Sequence, residues 1–315
     1  MVKTAMKRCL FNIILPVCAI VILAIPVQSS AITIAAIMSS DQPRYREAHR
    51  SFVKSIAAHG YTSPSTEITL LTPNADPLSW GAEVRKLNSS RPGLIVTYGA
   101  PASLTAVRES AGIPVVSVDV FTSEQPVKGV CGVSSRVSMV TLLKTLLEIR
   151  PYRRIGVLYS PRESGSQQQL DDVKKFAANL GITVLDGSVS TAAALDAELG
   201  RLLDKCDAVV VTEGGLFGQQ FDRIISRSKA RKIPVASTMP DAAERGAIVS
   251  LEINPQEQGY LAAEMAVRIL EGAKTEFLPL IPPHRIDLVI NMRRAREIGI
   301  EIPLTAQRSA TRLIK

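Results

Sequence analysis

Three times in this chain, a short apolar run leads into a loop of small residues and then into a helical pattern. The copies are Leu94–Tyr98 into Gly99–Ser103, Ile155–Tyr159 into Ser160–Ser166, and Val209–Val211 into Thr212–Phe217. Apolar runs of this length, bounded by turn residues and alternating with helices, are typical of parallel strands in an α/β sheet. Ligands of such sheets bind beyond the carboxyl ends of the strands. The pattern therefore predicts an α/β fold with its binding residues in these loops.

Ten strand-like segments are predicted along the 315 residues. They are Ile32–Met38, Ile68–Leu71, Leu94–Tyr98, Val115–Val118, Ile155–Tyr159, Ile182–Leu185, Ala208–Val211, Ile233–Ala236, Ile248–Leu251 and Asp287–Ile290. Helical patterns separate most of them, which predicts right-handed crossovers between parallel strands. Ten strands are many for one sheet, so we predict two sheets, divided at the polar stretch Phe121–Gly129.

Residues 1–31 have the features of a secretory signal peptide. Three cations within residues 3–8 precede an apolar run at 13–27, and Ser29-Ser30-Ala31 supplies small residues for cleavage. We therefore predict an exported, periplasmic chain that begins at Ile32. A retained leader would instead hold the protein at the membrane.

Motifs for catalysis or metal binding are absent from the sequence. It contains no G-x-S-x-G, P-loop, H-E-x-x-H or C-x-x-C motif, and its three histidines lack metal-ligand spacing. We predict neither an enzyme nor a bound metal or cofactor. Cys131 and Cys206 permit a disulfide without requiring one, and their apolar neighbours favour two buried thiols.

The positive charge of the chain does not by itself indicate a nucleic-acid partner. The formal net charge is +8, and the leader contributes three of these charges. The basic clusters at 150–154 and 293–296 are interpreted as solvated helix edges. We therefore predict no nucleic-acid partner and a monomeric protein.

Polar, aromatic and helix-start residues follow the predicted strands in both halves of the chain. The candidate ligand-binding residues are Ser39, Ser40, Asp41, Tyr98, Gly99, Ala100, Pro101, Ala102, Asp119, Phe121, Ser160, Glu163, Ser166, Glu213, Thr238 and Asp241. Because they lie at the carboxyl ends of strands, they are expected to share one polar cleft. We predict that Ser39, Ala100, Asp119, Ser160, Glu213 and Asp241 surround one pocket.

The residue types in this set favour a zwitterionic solute. The helix start at Pro101–Ser103, with serine hydroxyls nearby, suits an anionic group. Asp119, Glu213 and Asp241 suit an amine. Four aromatic residues follow the same strands, and core packing is the alternative to a stacking role for them: Tyr98, Phe121, Tyr159 and Phe217. An amino acid or a related small carboxylate is the predicted solute.

Several short motifs in a specific order resemble a known family. They are Tyr98-Gly99-Ala100-Pro101-Ala102, Arg154-Ile155-Gly156-Val157-Leu158-Tyr159-Ser160-Pro161, Lys232-Ile233-Pro234-Val235, Gln258-Gly259 through Ile269-Leu270-Glu271-Gly272, and Ile290-Asn291 through Ile298-Gly299-Ile300-Glu301-Ile302-Pro303. From Ile32 to Pro303 the chain resembles the type 1 periplasmic binding proteins of ABC transporters, in particular the subgroup with tryptophan- and tyrosine-binding members. Ala100, Ser160 and Thr212-Glu213 depart from the residues usual there, which are Thr, Asn and Asp.

The resemblance implies two Rossmann-like lobes with parallel sheets, joined by three hinge crossovers and binding solute between them. By this likeness the first lobe comprises 32–120 and 246–277, the second comprises 128–242 and 284–305, and 306–315 is a tail. The implied function is capture of a solute for an ABC importer, with its permease and ATPase subunits as partners. The alternative is a sensory module that signals to a receptor or kinase. A two-lobed enzyme is disfavoured because a nucleotide-binding fingerprint is absent.

Overall fold

The computed structural model describes residues 31–121 and 129–315, where two β-sheets are flanked by helices. The strands are β1 (Ile32–Met38), β2 (Thr66–Leu71), β3 (Leu94–Tyr98), β4 (Val115–Val120), β5 (Cys131–Ser134), β6 (Arg154–Tyr159), β7 (Thr183–Ser188), β8 (Ala208–Val211), β9 (Val235–Ser237), β10 (Val249–Ile253), β11 (Leu280–Ile281), β12 (Ile286–Asn291) and β13 (Arg312–Ile314). The helices are α1 (Pro43–Ala58), α2 (Pro77–Ser90), α3 (Ala100–Glu109), α4 (Met139–Ile149), α5 (Ser164–Ala178), α6 (Leu195–Leu203), α7 (Gly215–Ala230), α8 (Pro255–Leu270), α9 (Met292–Glu297) and α10 (Leu304–Ser309).

All ten predicted strands are present, so the two-sheet α/β prediction is confirmed. Three further strands, β5, β11 and β13, were not predicted. Each has only two to four residues, which is too short to show the hydrophobic pattern by which a strand is predicted.

The first sheet has the order β11-β5-β4-β3-β1-β2, and all of its neighbouring strands are parallel. Strands β3 and β4 are buried along their whole length. Helices on both faces of a parallel sheet exclude water from it, which explains why these strands read as uninterrupted apolar runs.

The second sheet has the order β13-β12-β10-β9-β8-β6-β7. Strands β6 to β10 are parallel to one another. Strand β12 runs antiparallel to β10, and β13 runs parallel to β12. The carboxyl ends of β6, β8 and β9 therefore share one edge, where the loops of the predicted site begin.

The chain passes between the lobes at other positions than predicted. The strand β5 belongs to the first sheet although 128–242 was assigned to the second lobe, and β10 belongs to the second sheet although 246–277 was assigned to the first. The predicted tail 306–315 contributes β13 to the second sheet. The crossovers fall between β5 and α4, between β10 and α8, and between β11 and β12. These short connections lack a change in composition, so periodicity could not locate them.

Each lobe has its own apolar core. In the first lobe, α1 and α8 pack side by side over the sheet, with Phe52 and Ile56 fully buried. Gly259 permits this close packing, because a Cβ there would lie 2.0 Å from the carbonyl oxygen of Ala48. In the second lobe, apolar clusters fill both faces of the sheet.

Residues 31–315 form one compact unit. The predicted leader, apart from Ala31, lies outside the described residues, as does 122–128 of the predicted boundary. Among the described helices, none is long and apolar enough to cross a membrane. Cys131 and Cys206 are free and buried, and burial raises the pKa of each thiol to about 11.

Candidate functional site

A cavity of about 600 Å³ opens where the carboxyl ends of strands from both sheets meet. Its walls come from residues at or after the carboxyl ends of β1 to β5 in the first lobe and of β6 to β8 in the second. The lining residues are Ser39, Ser40, Gln42, Arg44, Tyr45, Ala75, Pro77, Trp80, Ala100, Pro101, Leu104, Asp119, Phe121, Ser135, Ser160, Arg162, Glu163, Ser164, Gly165, Ser166, Ser190, Glu213, Gly214, Gly215, Leu216 and Gln219. This volume is typical of a site for a small molecule.

Two helix N-termini face the cavity. At the start of α3, the Ala102 N–H donates to Ser39 Oγ over 3.0 Å, and the Ser39 hydroxyl donates to the Gly99 carbonyl over 3.2 Å. Gly99 has φ +91°, and a Cβ there would lie 2.5 Å from the Tyr45 hydroxyl. At the start of α5, no side chain caps the helix. Both ends present positive helix-dipole charge to the cavity.

A buried ion pair lies in the first-lobe wall. Arg44 Nε lies 3.1 Å from Asp119 Oδ2, and both side chains are largely buried. The Arg44 guanidinium also donates to the Tyr45 hydroxyl over 3.0 Å. Asp119 has φ +59°, and its N–H donates to Gln258 Oε1 over 3.2 Å. Asp119 Oδ1 makes no hydrogen bond with any described residue, so a buried acceptor remains for another partner.

The second-lobe wall is held by a hydroxyl network. The Ser160 N–H donates to Ser166 Oγ over 2.8 Å, and Ser166 Oγ lies 2.6 Å from the Thr212 hydroxyl. Glu163 accepts from the Gly215 N–H at the start of α7, over 3.2 Å to Oε1. The carboxylate of Glu163 thereby occupies the anion-binding end of that helix.

Glu213 faces the ion pair from the second lobe. Its N–H donates to Gln169 Oε1 over 2.7 Å, and Ser135 Oγ lies 3.4 Å from its Oε2. Burial raises the pKa of the Glu213 carboxyl to about 8, the Asp119 carboxylate adds to the rise, and Arg44 opposes it. Burial also raises the pKa of Glu163. Burial alone would lower the pKa of Arg44, but the negative charges of Asp119 and Glu213 hold that pKa above its ordinary value.

The aromatic residues of the cavity include one of the four that follow the predicted strands. Tyr45, Trp80 and Phe121 line it. Of the four predicted aromatic residues, Phe121 alone lies there. Tyr98 is fully buried, 3.0 Å from His49 Nδ1, and Tyr159 and Phe217 pack in the second-lobe core. Each of these three residues ends or follows a predicted strand, but its side chain packs inside its lobe and does not face the cleft.

Most of the polar candidates lie together. Ten of the sixteen predicted site residues line the cavity: Ser39, Ser40, Ala100, Pro101, Asp119, Phe121, Ser160, Glu163, Ser166 and Glu213. Five of the six residues predicted to surround one pocket are in this group. Asp241 is the exception. Their roles in binding remain predictions.

Six predicted residues lie outside the lining. Tyr98, Gly99 and Ala102 form the structure beneath it, and Asp41 is exposed and paired with Arg46. Thr238 is buried behind Glu213, where it accepts from Gln169 Nε2 over 3.0 Å.

Asp241 lies instead beside Glu244 and Glu252, with their carboxylate oxygens within 4.8 Å of one another. Arg312 bonds both Glu244 and Glu252, at 3.0 Å from Glu252 Oε2. Two of the three carboxylates, those of Glu244 and Glu252, are therefore held in an ion-pair network with Arg312.

Sequence reasoning missed Arg44, Tyr45 and Trp80. Tyr45 lies on the buried face of α1, and that face ends at the cavity. Arg44 lies in the first turn of α1, directly after the loop that follows β1. An arginine at such a position is a signal from which Arg44 could have been predicted. Trp80 lies in α2, whose first turn reaches the cavity through Pro77. The rule that ligands bind beyond the carboxyl ends of parallel strands does not predict a side chain from within a helix.

The comparisons with known proteins agree with this geometry. The family model described as "ABC transporter substrate binding protein" matches residues 31–314. A curated relative, a tyrosine-binding protein of Clostridioides difficile, is 22% identical over 262 residues, which cover 80% of this chain and 76% of that protein.

Solved structures share the fold. An ABC domain of Streptococcus pneumonia in complex with L-Trp has a TM-score of 0.84 at 22% identity, covering 90% of this chain and 100% of the other. A ligand-free, open substrate-binding protein with adhesive properties from Clostridium difficile has a TM-score of 0.70 at 24% identity, covering 90% and 99%. Solute-binding proteins with two α/β lobes of the type 1 periplasmic fold are therefore the structural relatives of this chain.

Proposed function

The chain belongs to the ABC transporter substrate-binding protein family, and from that premise we propose that it captures an aromatic amino acid for an ABC importer. The observation that carries the proposal is the composition of the cavity, in which buried carboxylates and aromatic rings line the same space. One relative is a tyrosine-binding protein and another was solved in complex with L-Trp, and both ligands agree with that composition.

The charges in the cavity call for a cationic group on the solute. Asp119, Glu163 and Glu213 supply three carboxylates against one buried arginine, Arg44, with Arg162 exposed at the edge. An ammonium group between Asp119 and Glu213 would favour the ionised form of Glu213, whose pKa is about 8 in the solute-free protein. It would also supply a donor for Asp119 Oδ1, which has no hydrogen-bond partner among the described residues.

The carboxylate of the solute is assigned to the helix N-termini. In α5, no described residue accepts from the N–H groups of Ser164 and Gly165. In α3, the Ala102 N–H is already bonded to Ser39, which leaves Ala100 as the donor at that end. Backbone donors at a helix start bind carboxylates without needing a second buried arginine.

The side chain of the solute is assigned to the aromatic wall. Tyr45, Trp80 and Phe121 lie close to the charged groups, so a planar side chain can pack on a ring while its ammonium reaches Asp119. Stacking on an aromatic ring contributes about 0.5–1.5 kcal/mol beyond area burial.

Capture is proposed to occur by closure of the lobes. The two walls approach closely at Gly165, where a Cβ would lie 2.7 Å from the Phe121 carbonyl oxygen, and at Gly218 beside Gln42. Closure brings Glu213 toward the Arg44–Asp119 pair and removes competing water, which strengthens the electrostatic contacts. We further propose export by the leader, a monomeric state, and docking of the closed form on permease subunits.

A thermal-shift screen of residues 31–315 against single amino acids and small organic acids tests this proposal. Aromatic amino acids should raise the free energy of unfolding most, by about 2.7 kcal/mol at a hundred times the dissociation constant. Asp119→Asn should weaken binding by about tenfold or more, at least as much as Phe121→Leu. The matched control is Asp41→Asn, whose exposed side chain pairs with Arg46 and does not line the cavity, and it should leave affinity unchanged. Stabilisation by organic acids alone, with Asp119→Asn behaving as wild type, would contradict the proposal.

A further inference from the structure

The end of the second lobe that lies opposite the cavity collects an excess of positive charge. Four segments meet there: 150–154 before β6, 204–207 before β8, 229–232 before β9, and 293–297 after β12. Strands β6, β8 and β9 are adjacent and parallel, so the first three segments share one edge of the sheet. Because β12 is antiparallel to β10, the fourth segment lies at that edge too. We call these four segments the basic pole.

The basic pole contains ten cations and three acids. The cations are Arg150, Arg153, Arg154, Lys205, Lys229, Arg231, Lys232, Arg293, Arg294 and Arg296, and the acids are Asp204, Asp207 and Glu297. The excess of seven compares with a net charge of +8 for the whole chain, three of which lie within residues 1–30. The rest of the described unit is therefore slightly acidic, and the positive charge is concentrated at one pole.

Ion pairs tie the four segments together and use up all three acids. Arg154 Nη2 lies 2.8 Å from Asp207, Arg231 pairs with Asp204, and Lys229 Nζ lies 2.9 Å from Glu297. The remaining cations, apart from Arg294, are exposed and form no ion pair with any described residue. These six are Arg150, Arg153, Lys205, Lys232, Arg293 and Arg296.

We propose that the basic pole binds the surface of a membrane rich in anionic phospholipid. Its cations come from loops and from the ends of helices and strands at one end of the lobe, and not from the walls of a groove, which suits a planar array of phosphates. Leu180, on the loop before the neighbouring strand β7, is 51% exposed at the same edge and can enter the headgroup region. Polybasic surfaces bind anionic leaflets through the sum of many such charges.

A single-stranded nucleic acid is the less fitting occupant. Recognition of such strands uses exposed aromatic side chains on which bases stack. The one aromatic residue in the four segments, Tyr152, is buried. The pole also leaves the cavity free, because β6 is six residues long and separates the two ends of the lobe by roughly 20 Å.

Vesicle sedimentation with residues 31–315 tests the proposal, since the leader would itself bind lipid. The protein should bind vesicles that contain phosphatidylglycerol and not pure phosphatidylcholine vesicles, and about 0.5 M salt should release it. Arg293→Glu with Arg296→Glu should weaken binding at least 25-fold, at about fivefold for each cation removed. Arg153→Glu with Lys205→Glu, on other loops of the pole, should give a similar loss and guards against a local folding defect.

The matched control is Arg50→Glu with Lys54→Glu, which changes the net charge equally on α1 of the first lobe. It should retain most of the vesicle binding, and all three variants should keep wild-type solute affinity. Equal losses in pole and control variants, or no binding to phosphatidylglycerol vesicles, would overturn the proposal. Tighter binding to a single-stranded oligonucleotide at the same ionic strength, lost in the pole variants, would reassign the surface to nucleic acid.

Discussion

At the scale of single residues, the cavity depends on carboxylates that are costly to bury. Asp119 and Glu213 come from different lobes and share the single guanidinium of Arg44. One arginine cannot neutralise both, so Glu213 takes up a proton more readily than an exposed glutamate does, and its pKa is raised to about 8. Near neutral pH the empty cavity therefore holds Glu213 largely in its protonated form, and a bound ammonium would favour the carboxylate.

Glu213→Gln should stabilise the solute-free protein at pH 8 by about 1–3 kcal/mol. The folded state binds the Glu213 proton more tightly than the unfolded state, whose ordinary pKa is 4.5. The free energy of unfolding should therefore fall as pH rises from about 4.5 to about 8, and glutamine should remove that fall. Urea unfolding at pH 5 and pH 8 measures it. Glu271→Gln, at an exposed site, is the control, and an identical pH dependence in Glu213→Gln and wild type would contradict this reading.

The sequence predicted Asp119 and Glu213 at the cleft because both lie at the carboxyl ends of predicted parallel strands, where ligands of such sheets bind. It could not identify Trp80, whose helix reaches the cleft only through the packing of α2 on α3. It also placed Tyr98 among the candidate binding residues and left Phe217 open between stacking and core packing, whereas both are fully buried in their own lobes. Which way a side chain points at a strand end depends on packing that the sequence alone does not display.

At the scale of elements, the strands were predictable because burial on both faces makes them continuous apolar runs. The lobe boundaries were not. Helix α8 belongs to the first lobe through its contact with α1, although β10, which precedes it directly, pairs in the second sheet. Gly259 is the residue at which α8 meets the backbone of α1.

Gly259→Ala should destabilise the protein by about 1–3 kcal/mol or more, because the new Cβ would lie 2.0 Å from the Ala48 carbonyl oxygen. Gly200→Ala in α6 is the matched control, since its nearest neighbour, Arg227 Nη2, lies at 3.4 Å. Alanine in that helix interior should stabilise by about 0.5–1 kcal/mol. Chemical denaturation of both variants measures the pair. Equal effects at the two positions would show that α1 and α8 do not pack this closely.

At the scale of the whole molecule, the two lobes divide the site between them. The first lobe supplies the Arg44–Asp119 pair and the aromatic wall, and the second supplies Glu213 and the open start of α5. Neither lobe alone surrounds a solute, so binding and closure are one event in this account. The assignment of the ammonium to the carboxylates shared between the lobes is its central claim.

Titration calorimetry of residues 31–315 tests that claim with pairs of solutes that differ by the ammonium group alone. L-tryptophan and L-tyrosine should bind at neutral pH, whereas indolepropionate and hydroxyphenylpropionate, which keep the ring and the carboxylate, should bind at least about tenfold more weakly, because each loses a charge-assisted hydrogen bond. Equal affinity for an amino acid and its deaminated partner would contradict the account.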